Sequence, residues 1–245
     1  MRRLLRVAGS VLIVGGIAIL VWAAAVWRWQ DPFTGLYTRY EQHKLAARYD
    51  EHATRFAADH LTTLSTGHRS LAETRREIRI EAQRYRLEGK RGEPIARIRA
   101  PRLSLNMILV NGTDHDSLKS GPGRDERTFM PGEGQLVYIA GHRTTYLAPF
   151  SDIDELRRGD PVWLSLPYAT FEYTITGHTI VPAGNLAVLR SHGHEQLVLQ
   201  ACHPRFFARH RYLAYGKLVR IVPLSGPSFA LASAAVPAAR YPSRR

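Results

Sequence analysis

Cysteine is almost absent from this 245-residue chain, which has one, Cys202. A single thiol cannot close a disulfide within the chain, so internal stapling is excluded. The residue is either a small buried hydrophobe or is there for its reactivity. Acidic side chains are also scarce, 21 Asp and Glu against 34 Lys and Arg, for a formal net charge of +13. Such an excess ordinarily points to nucleic acid, but its distribution argues otherwise. Residues 1–35, 36–102, 103–222 and 223–245 carry net charges of +3, +6, +1 and +3. The third segment, which holds the candidate chemistry, is nearly neutral, so no nucleic-acid groove is expected there. The basic second segment suits anionic lipid headgroups or wall polymers, and a solvated helical face accounts for it equally well. No carboxylate cluster marks a calcium site. His192, His194, Cys202 and His203 offer four conceivable zinc ligands without the spacing of a structural zinc site, so neither a metal nor a cofactor is expected.

The N-terminus has what the rest lacks, a long apolar run. From Val7 to Trp27 there are twenty-one residues without a charge, enough for one helix across a hydrocarbon core of about 30 Å. Arg2, Arg3 and Arg6 precede it, which predicts a cytoplasmic N-terminus and export of everything after Arg28. Trp22, Trp27 and Trp29 at the far end suit an aromatic belt. Ala23-Ala24-Ala25 would also suit a cleaved signal peptide, but the apolar run continues past it, which favours an uncleaved anchor.

Four segments follow from the patterning: a tip and membrane anchor (1–30), a helical stalk (31–92), a β-rich domain (93–222) and a disordered tail (223–245). In the stalk, Leu36, Tyr40, Ala47, Phe56, Leu61 and Leu64 recur at loose helical spacing among many charges. Leu64-Ser65-Thr66-Gly67 predicts a break into two helices, and Glu88–Gly92 closes the second. From Pro94 short β-branched and aromatic runs predict strands at 95–98, 107–110, 136–140, 161–166, 171–176, 197–201 and 212–222, with a further one near Ile180. Short helices are expected at 117–119 and 149–156. This strand density predicts a mainly β domain, a closed or nearly closed β-barrel. The tail has few large apolar groups.

Cys202 ends the apolar strand 197–201 and Pro204 stops it, so the thiol is predicted at a barrel rim with a loop following. To attack a peptide carbonyl it must become a thiolate, which needs a basic partner. His142 is the best candidate, since it also leaves a strand, through Gly141, which permits a close approach. His203 is nearer in sequence, but adjacent side chains of an extended segment point to opposite faces. Arg211 opens the strand that should pair beside Cys202, and its permanent charge suits an oxyanion. Arg205 and Arg209 compete for that role. The chain thus reads as an anchored cysteine enzyme acting outside the cell.

These residues resemble the sortases, cysteine transpeptidases of the bacterial surface. The matching pieces are Asn111-Gly112-Thr113, Leu118–Gly123, Thr128–Gly134, Ala140–Tyr146, Pro149-Phe150, Leu156, Gly159-Asp160 and Ala201–Pro204 with Arg211. They fall in the family's order over roughly residues 93 to 222, and their style is most similar to class E. The resemblance implies an eight-stranded sortase β-barrel, with Cys202 as nucleophile, His142 as acid/base group and Arg211 holding substrate and oxyanion. It implies cleavage of an LAXTG or LPXTG sorting signal between Thr and Gly. The acyl group then passes to an amine, such as a peptidoglycan precursor or a pilin lysine. The chain departs from the family's pattern at Val198 and Ala201, where hydroxyls are common, and at Arg124 and Gln135. Three other readings remain: a surface cysteine hydrolase using the same three residues, a zinc module, and a scaffold with an inert thiol.

Overall fold

A computed structural model describes residues 2–29, 32–61, 70–224 and 229–230. Helix α1 (Arg2–Trp29) contains the apolar run, and none of its window Arg6–Ala24 is buried against the rest of the chain. Among the described residues it is the one helix long and apolar enough to cross a membrane. Helices α2 (Pro32–Leu61) and α3 (Leu71–Glu88) occupy the predicted stalk. Ser70 and Glu73 close a reciprocal capping box at the start of α3, satisfying two backbone donors that a helix start leaves unpaired. The predicted break at 64–67 lies outside the described residues.

The β-rich domain is a ring of eight strands. They are β1 (Pro94–Ala100), β2 (Leu105–Asn111), β3 (Gly123–Arg124), β4 (Leu136–Ala140), β5 (Pro161–Ser165), β6 (Ala169–Pro182), β7 (Gln196–His203) and β8 (His210–Pro223). The order β6-β5-β1-β2-β3-β4-β7-β8 closes on itself because β6 also pairs with β8. A two-residue strand β9 (Phe229–Ala230) adds to β8 within the predicted tail, most of which lies outside the described residues. Helix α4 (His115–Ser120) follows β2, and a 3-10 turn at Ile153–Glu155 follows Phe150. The eighth strand is not near Ile180, which belongs to the long β6. It is β3, where Gly123 and Arg124 bridge β2 and β4.

Alternation explains the interior. On β6, Ala169, Phe171, Tyr173 and Ile175 are buried while Thr170, Glu172 and Thr174 lie between them, half exposed. The inward residues join Ile98, Leu164, Ile139, Leu197 and Leu199 in one core, as a period of two requires. The polar helices are not held away as a free stalk. Ile78, Ala82 and Tyr85 of α3 belong to the barrel core, and Leu45 and Tyr49 of α2 cover Ile108 and Val110 of β2. Gln42 acts as a substitute strand partner, accepting from the Ile108 N–H at 2.6 Å and donating to the carbonyls of Ile108 and Ser120.

Candidate active site

Strand register sets Cys202 beside Arg211, and His142 follows the strand on the other side of β7. β4 and β7 are parallel, with Leu136 opposite Gln196 and every pair to Ala140–Gln200 at the same offset. The Gly141 N–H donates to the Gln200 carbonyl at 3.0 Å, carrying the alignment on and bringing residue 142 level with Cys202. On the other side of β7, Cys202 is paired directly with Arg211 of β8. Orientation follows from the same alternation. Val137, Ile139, Leu199, Ala201 and Tyr212 point into the barrel, so residues 138, 140, 198, 200, 202, 211 and 213 share the outer face. Leu136, Tyr138, Val198 and Leu213 make an apolar floor on that face, flanked by Val181, Val188 and Leu189.

The Cys202 thiol is half-buried. His142 lies in a loop whose shape is fixed at both ends: its own carbonyl accepts from the Phe150 N–H at 3.1 Å, and Ala148 N–H donates to Thr145 O at 2.8 Å. Within that loop Tyr146, Leu147 and Ala148 are all left-handed, with φ of 54°, 58° and 38°. Gly141 permits the approach expected of it, since a Cβ there would stand 2.6 Å from the Phe150 ring. Among the described residues the His142 Nε2 is buried with no hydrogen-bond partner. Burial, and secondarily the nearby His115, hold its pKa below the usual histidine value, so at pH 7 the imidazole is neutral and able to act as a base.

Arg211 lies at the rim, its Nη1 donating to the Ala208 and His210 carbonyls at 2.8 and 3.1 Å. A guanidinium has more donors than these bonds use, so the group is oriented and can still donate to a substrate. Of its competitors, Arg205 is bonded to Ser151 O and the Asp152 carboxylate. Arg209 lends its carbonyl to the Ala183 N–H. His203 points away from the thiol's face, its ring 6.2 Å from that of Tyr212 and its Nδ1 3.0 Å from Arg143. His192 and His194 are exposed and face each other. Among the described residues no group of three or more His, Cys, Asp or Glu could hold a metal ion.

Three residues to which the sequence reading gives no role also shape the site. Tyr146 packs against His142, ring centroids 5.1 Å apart, and its N–H donates to the Thr34 hydroxyl of α2 at 3.0 Å. Tyr37 of α2 meets the Tyr146 ring edge-on at 6.4 Å. Arg143 is buried behind the site and ion-paired with Asp154. An arginine directly after the candidate base, inside a largely apolar segment, was the available signal for a buried charge needing a partner.

Residues 98–219 match the family model of the sortase domain. Sortase D of Bacillus subtilis (strain 168) is 32% identical over 132 residues, 52% of this chain and 65% of that protein. The match thus falls just short of two thirds of that relative's length. Among solved structures, a Clostridium perfringens Sortase D5 transpeptidase superposes with TM-score 0.51 and 26% identity, over 61% of this chain and 95% of the other. Sortase E1 from Streptomyces coelicolor, solved with a tripeptide in its active site, gives TM-score 0.50 and 25% identity, over 54% and 91%.

Proposed function

Since this chain belongs to the sortase family, we propose that it is a cysteine transpeptidase. Its reaction cleaves an LAXTG- or LPXTG-like sorting signal between Thr and Gly and transfers the acyl group to an amine. The observation that carries this reading is the pairing of Cys202 with Arg211 in register, with His142 in the loop that leaves the strand on the other side of β7. His142 takes the thiol proton and the sulfur attacks the Thr carbonyl carbon. Arg211 donates to the oxygen as it gains negative charge. Collapse of the tetrahedral intermediate breaks the C–N bond, His142 gives its proton to the departing glycine amine, and a thioester on Cys202 remains. An incoming amine repeats the sequence in reverse, giving its proton to His142 and forming the new amide as the thiolate leaves. The apolar floor beside Cys202 suits the leucine and the small apolar residue at the start of such a signal.

The acceptor is an amine of a peptidoglycan precursor or a pilin lysine. The apolar helix α1 anchors the enzyme in the cell membrane with its N-terminus inside and the barrel outside, α1 being in contact with lipid. Nucleic acid is not a partner.

The test is mass spectrometry of the full chain in detergent with LAXTG and LPXTG peptides. A covalent acyl adduct on Cys202, absent in Cys202→Ala, is expected, and LAXTG should react faster. Addition of a small amine should divert the product from free acid to amide. Free acid alone at high amine would favour the hydrolase reading instead, and no adduct at Cys202 would refute both.

A further inference from the structure

The reaction just described gives Arg143 nothing to do, yet its side chain is only 3% exposed. A buried guanidinium is unfavourable unless its donors are paired, and here the partners are specific. Nη2 meets the Asp154 carboxylate at 2.6 Å and Nε donates to Ser151 O at 3.3 Å. Nη1 donates to Cys202 O at 3.4 Å and lies 3.0 Å from His203 Nδ1. Two of these partners are the nucleophile's own carbonyl and the ring of the next residue. The other two belong to the segment that follows the His142 loop. One planar group therefore ties the end of β7 to the loop carrying the base, and Asp154 holds that group in place.

We propose that Arg143, anchored by Asp154, is a positioning residue that fixes the Cys202 backbone and holds the His203 ring as an acceptor, so that the thiol stays level with His142. The inference rests on Cys202 being the nucleophile and deepens that reading. Since Nδ1 of His203 faces an obligate donor, its proton is on Nε2. Burial, and then Arg143, depress the pKa of this histidine, with His210 acting the same way and Asp154 opposing. The ring therefore remains neutral at pH 7, and the Arg143 contact survives there. Without Arg143 the last peptide of β7 loses its tether on the inner side, and the thiol can drift relative to His142. A displacement on the order of 1 Å in a reacting group costs about 100-fold in rate.

The test uses the full-length chain in detergent and the LAXTG and LPXTG peptides, with Arg143→Gln, Arg143→Lys and Asp154→Asn. Arg143→Gln is expected to lower kcat about 100-fold with KM within about twofold. Arg143→Lys, which keeps the charge but not the fork, should recover about tenfold of this. Asp154→Asn should lower kcat several-fold, and its 47% exposure makes it tolerable to the fold. A kcat near wild type in Arg143→Gln, or a loss carried by KM, or no recovery in Arg143→Lys, overturns the proposal. If Arg143→Gln does not fold, unchanged kcat in Asp154→Asn overturns it. A readout independent of peptide is ¹⁵N NMR of His203. The wild type should show the Nε2–H tautomer, and Asp154→Asn should move its titration; the Nδ1–H tautomer in the wild type also overturns the assignment. Absence of an acyl adduct in the wild type would instead strike the transpeptidase reading itself.

Discussion

Gly141→Ala is the sharpest test of how closely the barrel and the His142 loop are fitted. The added Cβ would stand 2.6 and 2.9 Å from two Phe150 ring carbons and 3.1 Å from the Pro149 ring. Ordinary carbon contacts lie at about 3.5–4.0 Å, so something must move by roughly 1 Å. Phe150 is fully buried and packed in the core, and its N–H is bonded to the His142 carbonyl, so the ring has no empty space to enter. The backbone at 141–142 is left to shift. Overpacking of this kind costs about 1–3 kcal/mol, and at about 2–4 °C per kcal/mol for a domain of this size Tm falls by several degrees. A base displaced by a comparable distance costs on the order of 100-fold in acylation rate. The assay is single-turnover formation of the Cys202 adduct beside a thermal melt. A variant with wild-type rate and wild-type Tm would show that the loop is not seated on Phe150 as described. A fall in Tm with no change in rate would show that His142 is placed by other contacts.

Stability should also depend on pH in a defined direction. His142 and His203 both have depressed pKa values in the folded state, each chiefly from burial. The unfolded chain therefore binds more protons as pH falls. Stability is fully present above the unfolded value of about 6.5 and is lost as pH drops through the folded values. Melts between pH 7.5 and 5 should show this, and His142→Gln should flatten its share; identical curves would contradict the assignment. Gln42→Ala removes the partner of the Ile108 N–H and of two carbonyls. At about 1–3 kcal/mol for each unsatisfied buried group it should loosen α2, read as faster hydrogen exchange of residues 35–50, and unchanged exchange would contradict the docking. Glu195→Ala strands the Gly132 and Gly134 N–H groups and the Tyr173 hydroxyl, all of which donate to that carboxylate. It should cost about 3 kcal/mol or more in chemical denaturation.

The barrel was legible because it rests on short-range chemistry. Strands ending near Pro204 and Gly141 and one opening near Arg211 follow from local signals, and register then sets Cys202 opposite Arg211. What was not legible depended on partners far along the chain. Arg124 read only as a departure from a family pattern. In the fold it is a fully buried side chain on β3, bonded to Asn111 Oδ1 and the Thr128 carbonyl, and burial pushes its pKa down to about 10. β3 escaped notice because two residues carry no periodicity. The helices read as a free stalk because Leu45, Tyr49, Ile78, Ala82 and Tyr85 are few among many charges, and sparse apolar positions do not reveal what covers them. Arg143 was hidden for the same reason, since Asp154 is eleven residues away.

The bond between Thr34 and Tyr146 sets a short leash. Thr34 is five residues past Trp29, the last residue of α1, and five residues of extended chain reach at most about 18 Å. The end of α1 and the histidine loop are therefore held within that distance of each other, so that whatever fixes the height of one fixes the height of the other.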